Sequence, residues 1–600
     1  MSIIPIAELS DSIIKISFKY DPILVAQVRE ITRARWNPAI KSWVMPYSET
    51  SLDALKIIFP NLQFGDALKE KIDKRALNAL ETEELKYLPK VKNAVIKDFV
   101  FHTKPFWHQN VSFNFARSLN ASALFLEQGL GKAKLGIDLA TWRFRKKQVG
   151  RVLVVCPNSV MGQWVEEIEK HGHPDFSNYI LLEGSCIKRQ KILAELLDAW
   201  SGFLIINYEG LLPLQTFLFL RQRSANPLFE MIILDESSRI KHAQSQRSKI
   251  TWRLGITVKY RNILTGTPIT QSAEDIFSQY RFLDPGIFGP YATAFRGMYL
   301  IMGGFELRAV IGYKNIENLM KKIYSVAIRF TKDRCLDLPA KIYEKREARM
   351  DEISSKKYKE FEKECVAEFD GKVVVAPLVM TKLMKLYQIT GGFIYEQGPD
   401  GKKIATHDLK KNPKLTDLEE LLDEVLHKKI IIWCRFVREL ELISALLKKK
   451  KIQFTSISGS VKQKDRAEAV RLFQNDNKCK VFLGQIATAG FGITLHAAEV
   501  VIYYSNSYSY EERIQSEDRC HRIGLKHAVT YIDLVAVLAN GRKTIDSDIL
   551  DVVQDKARFA NEVSRMLMQK MVTRSGDKCE VKFMSNKTID EEIAMGEDVL

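Results

Sequence analysis

ALFLEQGLGKAKLGIDLATW, residues 123–142, holds the three parts that decide the fold: a short apolar strand, a glycine turn and a helix. The strand reads as buried on both faces, because ALFLE carries no polar alternation until its last residue. In GLGK (129–132) two glycines let backbone N–H groups turn inward around phosphate oxygens at the start of the following helix. Lys132 supplies the charge that would neutralise a β- or γ-phosphate. Gly129, Leu130, Gly131, Lys132, Ala133 and Lys134 are therefore candidate nucleotide contacts. Position 133, where such loops carry Ser or Thr to reach Mg²⁺, is alanine. One missing hydroxyl does not exclude Mg²⁺, which readily keeps several waters in its octahedral shell.

Outward from this stretch the same rhythm recurs. ALFLE is followed by RVLVV (151–155), FLIIN (203–207), MIILD (231–235) and RNILTG (261–266). A second series holds KIIIWC (429–434), FTSIS (454–458), KVFLG (480–484), EVVIYYS (499–505) and TYIDLVA (530–536). Continuous apolar strands alternating with helical stretches predict two parallel sheets covered on both faces, hence an α/β chain of two lobes. Ligands are then expected beyond the C-terminal ends of the strands. The predicted organisation is a small α+β module over 1–66, a charged helical connector over 67–100 and a first lobe over 101–290. Helical protrusions and a linker follow over 291–415, then a second lobe over 416–540, a bracing helix over 541–570 and a loosely ordered, acidic tail over 571–600.

Two further strings complete the site. LDESS (234–238) ends the strand MIILD, so Asp235 is the candidate ligand for Mg²⁺ and Glu236 the group that orients or deprotonates an attacking water. In QSEDRCHRIG (515–524), helical spacing predicts Gln515, Arg519 and Arg522 on one face. Arginine offers a permanent charge and a fork of donors suited to phosphate. From the second lobe these arginines reach a γ-phosphate held by the first only when the cleft closes.

Composition sets the class of partner. Lys and Arg number 90 against 73 Asp and Glu, a formal net charge of +17, which favours a polyanion such as nucleic acid. The eight cysteines form no CxxC pair, which argues against a zinc site or disulfide scaffold and for a reducing, intracellular compartment. The opening MSIIPIAELSDS lacks the form of a signal peptide, and no apolar run approaches membrane length. The runs RFRKK (143–147) and LKKKK (447–451) end predicted helices, where cations complement the helix dipole as readily as they would DNA.

With these motifs in order, residues 101–560 resemble the Swi/Snf branch of superfamily-two helicase-type motors. KPFWHQ (104–109) resembles the adenine-reading glutamine motif, with Gln109 as its reader. VVCPNSVMGQWVEEI (154–168) and IINYEGL (205–211) resemble motifs Ia and Ib, and LTGTPI (264–269) motif III. IIIWCRF (430–436), ATAGFGITLHAAEVVIYY (487–504) and 515–524 resemble motifs IV, V and VI. The resemblance implies RecA-like lobes, use of ATP and Mg²⁺, and translocation on double-stranded or branched DNA by a monomer that touches no membrane. It also implies that Ser159, Thr265 and Thr494 donate to DNA phosphates, which positions a protein without reading sequence. Gly490 and Gly492 permit close backbone approach, Gly492 beside the nucleotide as well.

Residues 13–60 resemble the small HARP module of the annealing-helicase branch through Tyr20, RARW (33–36) with Pro38, and KSWVMP (41–46). Arg33, Arg35 and Lys41 beside Trp36 and Trp43 suit phosphates and exposed bases. The same tryptophans equally suit the core of a small β-hairpin domain. The phrasing EQGLGK, DESS and LDLPAK resembles phage and bacterial members, which implies a bacterial cytoplasm. The expected function is an ATP-driven double-stranded DNA translocase, with fork remodelling or strand annealing as its outcome. A hydrolysis-weakened ATP- and DNA-binding clamp, suggested by Ala133, and the motor subunit of a defence or restriction complex are the alternatives.

Overall fold

The computed structural model describes residues 5–10, 12–73, 98–195, 200–224, 227–270, 272–303, 309–367, 376–397, 403–459, 461, 463–489, 493–522, 525 and 527–555. Residues 1–553 form one compact unit and 554–600 a second, of which only 554 and 555 are described. Residues 74–97 of the connector expected over 67–100, the brace beyond 555 and the acidic tail lie outside the described residues.

Both predicted sheets are present and wholly parallel. The first has seven strands, in the order Ala327–Phe330, Ala121–Leu126, Tyr260–Leu264, Met231–Asp235, Arg151–Cys156, Gly202–Asn207 and Tyr179–Leu181. All six residues of Ala121–Leu126 and of Arg151–Cys156 are buried, as their unbroken apolar runs require. The second sheet has six strands, in the order Lys341–Arg349, Val529–Val537, Val500–Tyr503, Ile430–Cys434, Val481–Gln485 and Phe454–Ile457. Its central strand divides cleanly. Ile430, Ile432 and Cys434 enter one core while Ile431 and Trp433 enter another, so both faces are covered.

The segment 291–415 differs from its helical expectation. It holds the helices Ala292–Tyr299, Ile316–Ser325, Glu352–Ala367 and Ala376–Thr390, but also two antiparallel hairpins, Leu300–Gly303 with Ala309–Tyr313 and Phe393–Gln397 with Lys403–Asp408. Two further strands leave it for the lobes. Ala327–Phe330 forms an edge of the first sheet and Lys341–Arg349 an edge of the second, so only residues 331–340 cross between them.

The N-terminal module is α+β. Its five-stranded sheet runs Arg35–Asn37, Ser42–Pro46, Ile13–Ser17, Ile6–Ser10 and Gln63–Phe64, with helices Pro22–Glu30 and Glu49–Ile58. The second helix docks on the end of the first lobe and on the helix Ile316–Ser325. There Asp53 pairs with Lys322 at 2.7 Å and accepts from Asn318 Nδ2 at 3.0 Å, and the Thr50 hydroxyl donates to the Ile287 carbonyl. Among the described residues no helix is long and apolar enough to cross a membrane.

Candidate active site

The glycine loop leaves the strand Ala121–Leu126 and enters the helix Lys132–Arg145. Gly129 and Gly131 take φ of 84° and 78°, the left-handed region that favours glycine. At Gly131 the requirement is also steric, since a Cβ there would lie 2.1 Å from Gln109 Nε2. Gln109 is buried on the helix Trp107–Arg117. Its Oε1 accepts from the Phe106 N–H at 3.0 Å and its Nε2 donates to the Leu130 carbonyl at 3.1 Å. His108 Nε2 lies 3.0 Å from the same carbonyl, so two side chains hold the loop from behind.

Lys132 Nζ donates to the Leu126 carbonyl at 3.1 Å, at the mouth of the loop. Lys134 points elsewhere. It is buried against Asp138 at 2.6 Å and lies over the Phe101 ring, because two residues along the helix turn it about 200° away from Lys132 and into the lobe. Ala133 is half-buried and packs against the apolar core of the first lobe.

The two carboxylates sit at the end of the strand Met231–Asp235. Asp235 Oδ2 accepts the indole N–H of Trp164 at 2.8 Å, Oδ1 accepts the Glu236 N–H at 3.0 Å, and the Tyr208 hydroxyl donates to its main-chain oxygen at 2.8 Å. Burial pushes the Asp235 carboxyl upward, while Lys132 and the Trp164 hydrogen bond oppose that rise. Glu236 has φ of 49°, a strained setting for a side chain with a Cβ and one that clusters at functional positions. Burial raises its carboxyl to about 7; Lys132 opposes the rise, and the Asp235 and Glu511 charges add to it. A carboxyl in that range suits proton abstraction near neutral pH.

From the second lobe, the helix Tyr510–Glu517 ends before the two arginines, so they do not share a helical face with Gln515 as expected. They lie in the turn beyond, which still directs both at the glycine loop. Arg519 Nη2 donates to Gln128 Oε1 at 2.7 Å, and its Nε and Nη1 donate to the Gln515 and Ile493 carbonyls. Burial, and then Arg522 beside it, lower the Arg519 guanidinium to about 9, leaving it charged at neutral pH. Arg522 Nη1 donates to Thr494 Oγ1 at 3.0 Å, and its Cγ would lie 3.8 Å from a Cβ on Gly129. Gln515 is buried, with Nε2 3.4 Å from Glu511 Oε1, which also accepts from the Ser238 hydroxyl at 2.7 Å. Lys332 Nζ meets Asp518 Oδ1 at 2.6 Å and the His521 carbonyl at 2.7 Å. The cleft is closed on these contacts.

The structure thus brings together Gln109, Gly129, Leu130, Gly131, Lys132, Asp235, Glu236, Gln515, Arg519 and Arg522, and leaves Lys134 apart. Trp164, Gln128 and Lys332 were not singled out by sequence, because each acts through a partner dozens to hundreds of residues away. Among the expected DNA contacts, Thr265 is fully buried and its hydroxyl accepts from the Thr267 N–H. Thr494 is engaged by Arg522. Ser159 is half-buried in the short turn Asn158–Val160, at the C-terminal end of a strand. Gly490 and Gly492 lie outside the described residues.

On the N-terminal module Trp43 belongs to the core, and Trp36, opposite it across the hairpin, is 50% exposed. Arg35 and Lys41 are exposed nearby, whereas the Arg33 guanidinium lies over the ring of Tyr291, at the start of the segment 291–415, at 4.6 Å.

Asp235 fits Mg²⁺ as a single protein carboxylate, its oxygens already oriented by an indole and a backbone N–H. Among the described residues no group of three or more His, Cys, Asp or Glu could hold a metal ion.

Two protein families match this chain. The SNF2-related domain matches residues 83–390 and the helicase conserved C-terminal domain residues 413–524. The chain is 24% identical over 589 residues to the "SWI/SNF-related matrix-associated actin-dependent regulator of chromatin subfamily A-like protein 1 homolog" of Caenorhabditis elegans, covering 95% of this chain and 77% of that protein. It is 26% identical over 477 residues to the "ISWI chromatin-remodeling complex ATPase ISW1" of Saccharomyces cerevisiae, covering 76% of this chain but only 40% of that protein. A solved structure, the Sulfolobus solfataricus SWI2/SNF2 ATPase core in complex with dsDNA, is 25% identical and covers 74% of this chain and 90% of that one. Its TM-score is 0.37, and the fold assignment rests on the sheet order instead.

Proposed function

The chain belongs to the SNF2-related family, and from that premise we propose that it is a DNA-stimulated ATPase that moves along duplex DNA. The observation that carries this reading is the convergence of Arg519 and Arg522, from the second lobe, on the loop 128–131 of the first. The loop N–H groups and Lys132 bind the triphosphate, and Glu236 holds the attacking water and accepts its proton. Asp235 would hold Mg²⁺, which would supply charge to neutralise the phosphates. Arg519 and Arg522 complete the site only on closure, and such arginines can contribute about 10³–10⁵ in rate. Hydrolysis is thereby tied to the relative position of the lobes, which is the requirement for stepping along a strand.

Phosphate release measured without nucleic acid and with duplex, forked and single-stranded DNA and RNA tests the reading. Stimulation by duplex or forked DNA is expected, and release indifferent to every nucleic acid refutes it. Arg522→Ala should abolish turnover and leave nucleotide binding nearly intact.

The N-terminal module, whose resemblance is to HARP, supports a preference for branched DNA through exposed Trp36 with Arg35 and Lys41. Trp36→Ala should weaken stimulation by forks more than by blunt duplex; an equal loss on both refutes that part. Ala133 favours one alternative, a clamp that binds ATP and DNA but hydrolyses slowly. The phrasing of three motifs supports a bacterial cytoplasm, while the proteins reported above come from Caenorhabditis elegans, Saccharomyces cerevisiae and Sulfolobus solfataricus.

A further inference from the structure

Gln128, between the strand Ala121–Leu126 and the glycine loop, has a role that neither phosphate binding nor proton transfer gives it. Its side chain is buried, with two partners of opposite charge from opposite lobes. Nε2 donates to Glu236 Oε1 at 3.3 Å and Oε1 accepts from Arg519 Nη2 at 2.7 Å. The backbone beneath it is pinned. The Glu127 N–H donates to the Phe330 carbonyl, the Glu127 carbonyl accepts from the Leu130 N–H, and Glu127 Oε2 accepts from the Lys332 N–H at 2.9 Å.

We propose that Gln128 is a positioning residue that makes the arrival of Arg519 a condition for orienting Glu236. The inference deepens the ATPase reading and rests on it.

A carboxylate and a guanidinium this close would otherwise pair directly, fork to fork, occupying the oxygens that Glu236 needs for water. A planar amide between them prevents that, since it offers a donor to one and an acceptor to the other at fixed separation. Its orientation is determined by both partners. Flipped, it would set N–H₂ against Arg519 and C=O against Glu236, unfavourable at both ends. With the second lobe withdrawn, the acceptor end loses the guanidinium that fixes the flip, and Glu236 loses a fixed donor. Lobe closure is therefore read by the catalytic carboxylate through one side chain, without Arg519 touching it.

ATP turnover with saturating duplex DNA, and affinity for a fluorescent ATP analogue, are measured for the wild type, Gln128→Leu, Gln128→Glu, Arg519→Ala and the Gln128→Leu/Arg519→Ala pair. Gln128→Leu should lower kcat about tenfold, the worth of a hydrogen bond to a charged group, with KM and analogue affinity within about twofold. Gln128→Glu keeps the acceptor for Arg519 but sets a like charge against Glu236, so its kcat should fall at least as far. In the Arg519→Ala background, Gln128→Leu should cost less than about threefold, because the two act as one unit. Wild-type kcat in Gln128→Leu, a loss of affinity as large as the loss of turnover, or full additivity in the double variant would each overturn the inference while leaving the ATPase reading standing. A wild-type chain with no ATP turnover would overturn both.

Discussion

Trp164→Phe tests whether Asp235 is held for a metal or merely capped. The indole is 1% exposed and donates to Asp235 Oδ2 at 2.8 Å, with its ring edge against the helix Lys132–Arg145 at Gly136. Phenylalanine keeps the six-membered ring and removes the N–H. The void left is a few tens of Å³, worth about 1 kcal/mol of stability, so the melting temperature should fall by only a few degrees. The functional term is larger. A hydrogen bond to a charged group is worth about 1.5–3 kcal/mol, or roughly 10–100-fold. Loss of a partner that orients a metal ligand is known to cost that much in metal affinity. The effect should sit at the high end here, because Ala133 supplies no second side-chain oxygen. At fixed ATP and saturating duplex DNA, the Mg²⁺ midpoint of turnover should rise by that factor, with the plateau recovering at high Mg²⁺. Mn²⁺ binding followed by EPR with a non-hydrolysable ATP analogue should weaken in parallel. An unchanged midpoint, or a lowered plateau with the midpoint unmoved, would refute the orienting role.

Ala133→Thr should move the same midpoint the other way, at a cost of about 0.5–0.7 kcal/mol in helix propensity; superimposable Mg²⁺ titrations would show that the hydroxyl has no part to play. Gly131→Ala forces a Cβ to 2.1 Å from Gln109 Nε2 at φ of 78°, so analogue binding should fall at least about a hundredfold by fluorescence titration, and normal binding would contradict the loop geometry. Asp53→Ala leaves the nearly buried Lys322 ammonium without its ion-pair partner, a loss of about 3 kcal/mol from docking of the N-terminal module. Limited proteolysis between residues 73 and 98 should accelerate, and Asp53→Ala/Lys322→Met should largely reverse it; cleavage at the wild-type rate would remove the ion pair from the docking account.

Nine central strands were legible because a strand buried on both faces must be largely apolar, and the tenth run, FTSIS, forms the edge Phe454–Ile457. The other edges were not. KIYEKREAR (341–349) is a charged edge strand, and charge is how an edge is kept from pairing with other chains. Ala327–Phe330 has only four residues, too few for a strand period to stand out from a short apolar run. The turn after Glu517 was read as helix because no glycine interrupts the spacing before Gly524. The phosphate loop and the Asp-Glu pair were legible because their chemistry is local. Trp164 with Asp235, and Gln128 with Arg519, are contacts of 71 and 391 residues' separation that only the folded chain brings about. The two module tryptophans pair across one hairpin and share a face, their rings 6.0 Å apart, so alternation could not say which is covered: Trp36 stands on the edge strand and Trp43 inside the sheet.

The strap over 331–340 joins the sheets with ten residues, and it is fastened at both ends to the turn that carries the arginines. Lys332 meets Asp518, and the Pro339 carbonyl lies 2.9 Å from His521 Nε2. Fully extended, ten residues span about 35 Å. A tether of that length holds the two arginines at an effective concentration in the millimolar range or above, relative to the glycine loop. Their arrival is then an intramolecular rotation whose frequency does not depend on how much protein is present. An Arg522 variant should accordingly gain nothing from a second chain with an intact arginine turn but a disabled Lys132: the strap hands each loop its own arginines before a stranger's can compete.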